Sequence, residues 1–230
     1  MIARRAKAKP TAPLETESTK EMADLIRQAC LVAKDSASNA AEFIDNSSKM
    51  AFLAVKDCEK ELDRIERRID EQLASAITEV TEPEARELLA CLKFIIDLER
   101  IGDLSWSVTK RLHNLGSRLL PDDNREMAAM AKILEEMLER IYQGFVNRDT
   151  APASWVIQAD ARIDETCRGL FSRHLTSSRQ RTREYSTSLL LMAQAFERAG
   201  DHAKNLAEEV FHLVEGRSLR HELQRHKLDK

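Results

Sequence analysis

Two carboxylate pairs in this sequence occur inside the same five-residue motif. Glu99-Arg100-Ile101-Gly102-Asp103 recurs as Glu197-Arg198-Ala199-Gly200-Asp201, 98 residues further along the chain. Residues four apart lie on one face of a helix, so each motif places two carboxylates side by side. Like charges this close need a compensating positive charge, and oxygen ligands of this type bind hard metal cations. The repeat therefore predicts one helical unit present twice, with the same cation chemistry in each copy.

Amphipathic helices joined by short connections carry these motifs. Apolar residues recur at steps of three and four in six segments, the first beginning near Met22 and the last ending at Gly216. This periodicity predicts six helices, and short connections make consecutive helices antiparallel. We therefore predict an all-α protein with two tandem antiparallel three-helix bundles. The predicted divisions are a disordered basic tail (1–14), the first bundle (15–118), the second bundle (122–218) and a polar tail (219–230).

Capping residues predict several helix ends. Thr81 with Glu84 has the spacing of a capping box and predicts the start of the third helix, which then ends at Gly116. Asp123 with Glu126 has the same spacing and predicts the cap of the fourth helix. The sixth helix is predicted to begin near residue 182.

The hairpin connections bring further carboxylates level with each motif. If the second and third helices turn near residue 81, the residues level with the first motif include another acidic pair four apart. A turn near residue 179 has the same effect in the second half. We therefore predict two clusters of four carboxylates that could bind magnesium, manganese, calcium, iron or zinc. The predicted metal ligands are Glu59, Asp63, Glu99 and Asp103 in the first half, and Asp160, Asp164, Glu197 and Asp201 in the second.

Two alternatives to these clusters stay open. Glu66 and Asp70 repeat the acidic spacing one heptad further on and could replace the first-half pair on the second helix. Basic side chains could also neutralise the carboxylates as ordinary interhelical ion pairs. Glycine inside a helix costs about 1 kcal/mol relative to alanine, so its repetition in both motifs indicates a close helix approach or space for a ligand. The basic candidates are Arg64, Arg67, Arg162 and Arg168.

Composition argues against several classes of function. The chain has 230 residues with 36 Lys and Arg against 39 Asp and Glu, a net charge of −3, which gives no general attraction to nucleic acid. No apolar run is long enough to cross a membrane. We find no phosphate-binding glycine loop and no nucleophile elbow, so an enzyme is not expected. The four cysteines lack metal-ligand spacing and are expected to be reduced thiols in a cytoplasmic protein.

A few other residues could carry chemistry. Glu209 and His212 have the spacing found in di-iron bundles, but a second such element is missing, so an oxidase is not expected. His202 follows the second motif and is predicted to be a solvated helix residue rather than a ligand. Trp106 and Trp155 are predicted to be packing residues.

The duplicated motifs resemble those of the PhoU family of phosphate-uptake regulators. The resemblance covers roughly residues 15–222 and is carried mainly by the stretches 97–103 and 196–208. It implies two symmetric three-helix bundles, a homodimer, and clusters of iron, zinc, manganese or magnesium held by the eight carboxylates named above. The first copy departs from the family pattern at Ser105 and Ser107, where Ala and Asn are usual, so the first metal site is the less secure of the two.

The same resemblance implies a function. We expect a cytoplasmic negative regulator of phosphate uptake and of the phosphate-starvation response. Its expected partners are the ATPase of a phosphate ABC transporter and a sensor histidine kinase, with no nucleic acid and no membrane contact except through those partners. A structural helical adaptor and a regulator of a different phosphate carrier are the alternatives.

Overall fold

The computed structural model describes residues 17–78, 80–116, 118–176 and 182–216, and within these ranges it contains six α-helices and no strand. The all-α prediction is confirmed. Both predicted tails, 1–14 and 219–230, lie outside the described residues. The helices are α1 (Glu17–Asn46), α2 (Lys49–Ala76), α3 (Glu82–Leu115), α4 (Pro121–Asn147), α5 (Thr150–Thr176) and α6 (Arg183–Glu215).

The helices form two three-helix bundles that share one apolar core. Helices α1, α2 and α3 pack on one another, as do α4, α5 and α6. The bundles meet through α1 against α4 and through α3 against α6, so α2 and α5 lie on the outer flanks. The rings of Phe94 and Phe145 lie 5.0 Å apart across the junction between the bundles. Since buried residues from all six helices belong to one continuous cluster, the two repeats stabilise each other.

Local capping chemistry sets most of the predicted helix ends. The backbone N–H and the hydroxyl of Thr81 both donate to the carboxylate of Glu84, at 2.8 and 2.7 Å, and fix the start of α3. Gly116 and Gly216 end α3 and α6 in the left-handed conformation, with φ of 66° and 67°. Glycine adopts that conformation without the steric cost that a Cβ imposes. These predicted ends are confirmed.

The predicted cap at Asp123 is wrong. Helix α4 begins two residues earlier, at Pro121, and Asp123 lies fully buried in its first turn. Its carboxylate accepts a hydrogen bond from the hydroxyl of Tyr185 at 2.8 Å and lies 3.1 Å from Nε2 of His174. Arg173 donates to the same carboxylate at 3.3 Å. Instead of capping its own helix, Asp123 joins the start of α4 to the end of α5 and the start of α6.

The two tryptophans pack on the core, as predicted. Both are half-buried. The ring of Trp106 lies 5.1 Å from that of Phe52, and the guanidinium of Arg140 lies 4.1 Å from the ring centre of Trp155. These contacts account for both residues as packing groups.

The glycine of each repeated motif allows two helices to approach closely. A Cβ added to Gly102 on α3 would lie 2.5 Å from Cδ1 of Leu62 on α2, which is well inside van der Waals contact. A Cβ added to Gly200 on α6 would lie 3.1 Å from Oδ1 of Asp160 and 3.3 Å from Cδ1 of Ile163, both on α5. The close approach inferred from the repeated glycines is therefore present in both halves.

We predict that Gly102→Ala destabilises the protein although alanine favours helix formation. Leu62 is fully buried, so the added methyl group forces its side chain to repack, which costs about 1–3 kcal/mol, more than the gain in helix propensity. The free energy of unfolding in urea measures the effect. The matched control is Gly169→Ala on α5, where nothing lies within 4 Å of the new Cβ. That change should stabilise by about 1 kcal/mol or slightly less; equal effects at both positions would contradict the close-approach explanation.

Candidate functional site: two carboxylate clusters

The first carboxylate cluster lies between α2 and α3. Helix α2 contributes Glu59, Asp63 and Glu66, and α3 contributes Glu99 and Asp103. Burial raises the pKa of Glu59, and the charges of Asp63 and Asp103 raise it further. Burial also raises the pKa of Glu66, followed by the charge of Asp70 and then by those of Asp63 and Asp103. The structure thus brings Glu66 close to the four predicted first-half residues, and the alternative pair of Glu66 and Asp70 stays open.

Glu99 carries the largest effect of this crowding. Burial and then the charge of Asp103 raise its pKa to about 7, against the opposing attraction of Arg100. The Glu99 side chain is only 12% exposed, whereas Arg100 is 56% exposed and its nitrogens lie 3.5 Å from both carboxylates. An exposed guanidinium at that distance compensates the cluster only partly, because water screens it.

The second carboxylate cluster lies between α5 and α6. Asp160 and Asp164 come from α5, and Glu197 and Asp201 come from α6. Burial raises the pKa of Glu197, followed by the charges of Asp201, Asp164 and Asp160. The pKa of Asp201 rises for the same reasons. All four predicted residues of the second half are therefore close enough to repel one another.

Lys204 supplies a positive charge to the second cluster that the sequence analysis missed. Its ammonium group lies 2.7 Å from Oδ2 of Asp160, and the attraction of Asp160 raises its pKa. Asp160 is 2% exposed, and its other oxygen, Oδ1, has no hydrogen-bond partner among the described residues. Lys204 lies three residues after Asp201, which is the only sequence signal that could have placed it here.

Basic side chains partly neutralise the carboxylates, as the ion-pair alternative predicted, but mainly through Arg100 and Lys204, which are not among the predicted arginines. Arg64 pairs with Glu61 at 3.0 Å, away from the predicted ligands, and Arg67 lies 3.7 Å from Asp63 within α2. Among the described residues, Arg100 and Lys204 are the cations that lie closest to the clustered carboxylates. Neither cluster is fully neutralised, because raised carboxyl pKa values persist in both.

The two clusters differ in one further position. Cys167 on α5 lies near Glu197 and Asp164, and burial, followed by these charges, raises the pKa of its thiol to about 11. Leu62 and Ile163 are equivalent, because each faces the motif glycine of its half. Cys167, four residues after Ile163, therefore occupies the position of Glu66, four residues after Leu62. A thiol in place of a carboxylate makes the second cluster less negative and adds a softer group beside it.

The donor chemistry of both clusters fits a hard cation, but the side chains do not converge on one point. Among the described residues, no group of three or more His, Cys, Asp or Glu side chains is arranged to hold a metal ion. The unsatisfied Oδ1 of Asp160 and the raised pKa of Glu99 indicate uncompensated negative charge at both places. Metal binding by the eight carboxylates stays a prediction.

His202 does not lie free in solvent, so that prediction is wrong. Its Nδ1 lies 2.7 Å from Oδ1 of Asp97, which joins α6 to α3. Nearby, the ammonium group of Lys93 lies 3.1 Å from the carboxylate of Glu209, to which His212 also lies close, at 3.2 Å. These contacts depend on which helices of the two bundles meet, and helical periodicity does not contain that information.

The sequence profile of the PhoU domain matches residues 20–112 and 127–210, well over half of the chain. The chain belongs to the PhoU family. This match confirms the resemblance inferred from the repeated motif. One carboxylate cluster lies within each matched segment. No helix within the described residues is both long enough and apolar enough to cross a membrane.

Two PhoU relatives illustrate the extent of the similarity. A Burkholderia protein named phosphate-specific transport system accessory protein PhoU homolog is 30% identical in an alignment of 198 residues, and the match covers 83% of this chain and 84% of the relative. A Thermotoga maritima protein with the same name, homolog 1, is 27% identical in an alignment of 213 residues, and the match covers 90% of each chain. Both alignments span the two repeats rather than one.

Solved PhoU structures have the same fold. The crystal structure of PhoU from Pseudomonas aeruginosa superposes with a TM-score of 0.77 at 22% identity and covers 87% of this chain and 98% of that chain. PhoU from Streptococcus pneumoniae gives a TM-score of 0.77 at 19% identity and covers 87% of this chain and 96% of that chain. The tandem three-helix architecture is therefore confirmed.

We predict that Glu99→Gln removes a pH dependence of stability in metal-free buffer. Because the folded-state pKa of Glu99, about 7, exceeds its ordinary value of 4.5, the folded chain keeps a proton that the unfolded chain releases between these values. Stability should therefore fall as pH rises from about 4.5 to about 7. Urea denaturation with a chelator present should show the variant about 1–2 kcal/mol more stable at pH 8 and equal near pH 4.

The control for this prediction is Glu71→Gln, which changes an exposed carboxyl on α2. Its stability curve should run parallel to that of the unmodified protein across the whole pH range. If the Glu99→Gln curve also runs parallel, Glu99 does not retain a proton in the folded state.

Proposed function

We propose that this protein regulates phosphate transport by binding other proteins. The observation that carries the proposal is the carboxylate motif that occurs once in each of two PhoU domains in one chain. Relatives aligned across both domains are named accessory proteins of a phosphate-specific transport system. A role in phosphate transport therefore follows from membership of this family.

More specifically, the protein is a negative regulator of phosphate uptake that acts when phosphate is plentiful. The protein then binds the ATPase of a phosphate ABC transporter and a sensor histidine kinase, which restrains uptake and represses starvation genes. It acts in the cytoplasm as a homodimer. Exposed apolar side chains on the outer faces of α3 and α6 support a protein-binding role, since Leu89, Ile96 and Leu191 are each more than 40% exposed.

Among the described residues, Ser186, His174 and Asp123 form a hydrogen-bonded series of the kind found in hydrolases, but its burial argues against catalysis. Ser186 Oγ lies 3.2 Å from Nδ1 of His174, and Nε2 of His174 lies 3.1 Å from Asp123. The side chains of His174 and Asp123 are both 0% exposed. A substrate cannot reach this histidine, so the series stabilises the second bundle rather than activating a nucleophile.

Metal binding is the second part of the proposal. Each cluster would hold a divalent or trivalent ion of iron, zinc, manganese or magnesium through its four predicted carboxylates. The bound ion supplies positive charge that offsets the repulsion between those groups. Glu99 and Glu197 lie on α3 and α6, whereas Asp63 and Asp164 lie on α2 and α5, so the carboxylates link each outer helix to its inner neighbour.

We expect metal to stabilise the chain and carboxylate variants to reduce this effect. After dialysis against a chelator, adding manganese, zinc or ferrous iron should raise the thermal midpoint, because a ligand that binds only the folded state stabilises it. Asp103→Asn should lose about one metal ion per chain, the ion of the first cluster, and Asp201→Asn should lose the ion of the second. Mass spectrometry measures the bound metal. Asp122→Asn, at an exposed site outside both clusters, is the control. Unchanged metal content in both cluster variants would exclude the sites.

Alkaline phosphatase activity tests the regulatory role directly. In a strain without this gene, grown in phosphate-rich medium, we expect high phosphatase activity that the intact gene restores to a low level. Phosphate uptake should rise in the same strain. Asp103→Asn with Asp201→Asn, expressed at normal levels, should fail to restore repression if the clusters organise the regulatory surface.

Two other results would point to the alternatives. Raised uptake with normal phosphatase activity would identify a regulator of a different phosphate carrier. If neither quantity changes, and no second copy of the gene is present, the negative-regulator proposal is wrong and the helical-adaptor function replaces it. A pull-down with the tagged protein separates direct binding to the transporter from an indirect effect. We expect it to recover the transporter ATPase, and we expect Ile96→Asp to abolish that recovery.

A further inference from the structure

Several open pockets lie along the groove between α3 and α6, and two of them differ in charge. The first, of about 320 Å³, lies between the last turns of α3 and the first turns of α6. The second, of about 350 Å³, lies further along the same two helices. The polar residues of the first pocket are Ser107, Lys110, Arg111, Asn114, Glu184 and Ser188. Those of the second are Lys93, Asp97, Asn205, Glu208, Glu209 and His212.

The two pockets use equivalent positions of the repeat with opposite charges. The 98-residue spacing of the motifs equates Lys110 with Glu208 and Arg111 with Glu209, and all four residues line a pocket. The fold has therefore kept these positions at a pocket wall in both halves while their charge has reversed.

The two cations of the first pocket, Lys110 and Arg111, have no side-chain partner in the described part of the chain. In the second pocket, by contrast, Glu209 is paired with Lys93 and lies beside His212. The two adjacent cations of the first pocket outnumber its single carboxylate, that of Glu184, and so attract an anion.

The donors around these cations match a small oxyanion. An ammonium group, a guanidinium fork, an amide and two hydroxyls can all donate hydrogen bonds to anionic oxygens. The remaining polar group, the carboxylate of Glu184, can only accept. It repels a fully deprotonated anion, but it accepts a hydrogen bond from one that keeps a proton. Inorganic phosphate keeps a proton at neutral pH, and sulfate does not.

We propose that the pocket formed by Ser107, Lys110, Arg111, Asn114, Glu184 and Ser188 binds inorganic phosphate as the hydrogen phosphate ion. Lys110 and Arg111 provide the attraction, and Glu184 provides the preference over sulfate. The pocket shares no residue with either carboxylate cluster, so the inference goes beyond the proposed function and does not depend on metal. The competing explanation is that Lys110 and Arg111 only offset the dipole at the end of α3.

Isothermal titration calorimetry of the full chain, with a chelator present at pH 7.5, tests the inference with inorganic phosphate as the titrant. We expect binding of one phosphate per chain, little competition by excess sulfate, and weaker binding of glycerol 3-phosphate, which lacks the proton. Lys110→Gln with Arg111→Gln should lower phosphate affinity by about tenfold or more. Arg125→Gln, which changes an exposed arginine outside the pocket, should not alter it.

Glu184→Gln gives the sharper result because it changes selectivity rather than overall affinity alone. Replacing the acceptor with an amide should let sulfate compete with phosphate, while the circular dichroism spectrum and unfolding midpoint stay unchanged. The inference is overturned if the unmodified chain binds no phosphate, if the double variant binds it as well as the unmodified chain does, or if sulfate is already an equal competitor.

The same titration separates this inference from the proposed function. Asp103→Asn with Asp201→Asn should bind phosphate normally, since those residues lie outside the pocket. Loss of phosphate binding in that variant would mean that phosphate binds at the carboxylate clusters and that the pocket assignment is wrong. A strain carrying Lys110→Gln and Arg111→Gln that still represses phosphatase would leave the regulatory role intact and show that repression does not require the pocket.

Discussion

The close approach of α2 to α3, and of α5 to α6, is the constraint on which both the packing and the site chemistry depend. Glycine at 102 and 200 removes the side chain that would otherwise hold each outer helix away. The same approach brings carboxylates on the outer helix toward those that flank the glycine on the inner helix. Burial and mutual repulsion then raise their pKa values, Glu99 most clearly. The contact that packs the bundle therefore also concentrates its negative charge.

The two halves compensate this charge by different means. In the second half, the ammonium group of Lys204 contacts Asp160 directly. The equivalent position in the first half, 98 residues earlier, is Trp106, which packs on Phe52 and contributes no charge. Arg100 in the first half has an equivalent, Arg198, in the second, and the first half has an additional carboxylate, Glu66. The protein's own cations therefore compensate the first cluster less than the second, while the ranking of the two metal sites stays a prediction.

Local and repeating features of the sequence predicted the parts of this structure that local forces determine. The cap at Thr81 and the glycine terminators act within one turn of a helix, so they could be recognised from neighbouring residues. The carboxylate clusters could be placed because a helical hairpin has a fixed register. His202 and Asp123 could not be assigned, because their partners come from helices distant in sequence. Helical periodicity shows which face is buried but not which helix covers it.

Duplication gives α3 and α6 a shared core but not a shared surface. Positions that control helix contact keep their residue type, as the two motif glycines do, because a Cβ there would crowd side chains of the neighbouring helix. Groove positions have no such restriction, and Lys110 and Glu208 have diverged to opposite charges. The α3–α6 groove is therefore mainly basic near the last turns of α3 and mainly acidic further along the same two helices. A charged partner lying along this groove meets different chemistry at these two places, which favours one orientation over the reverse.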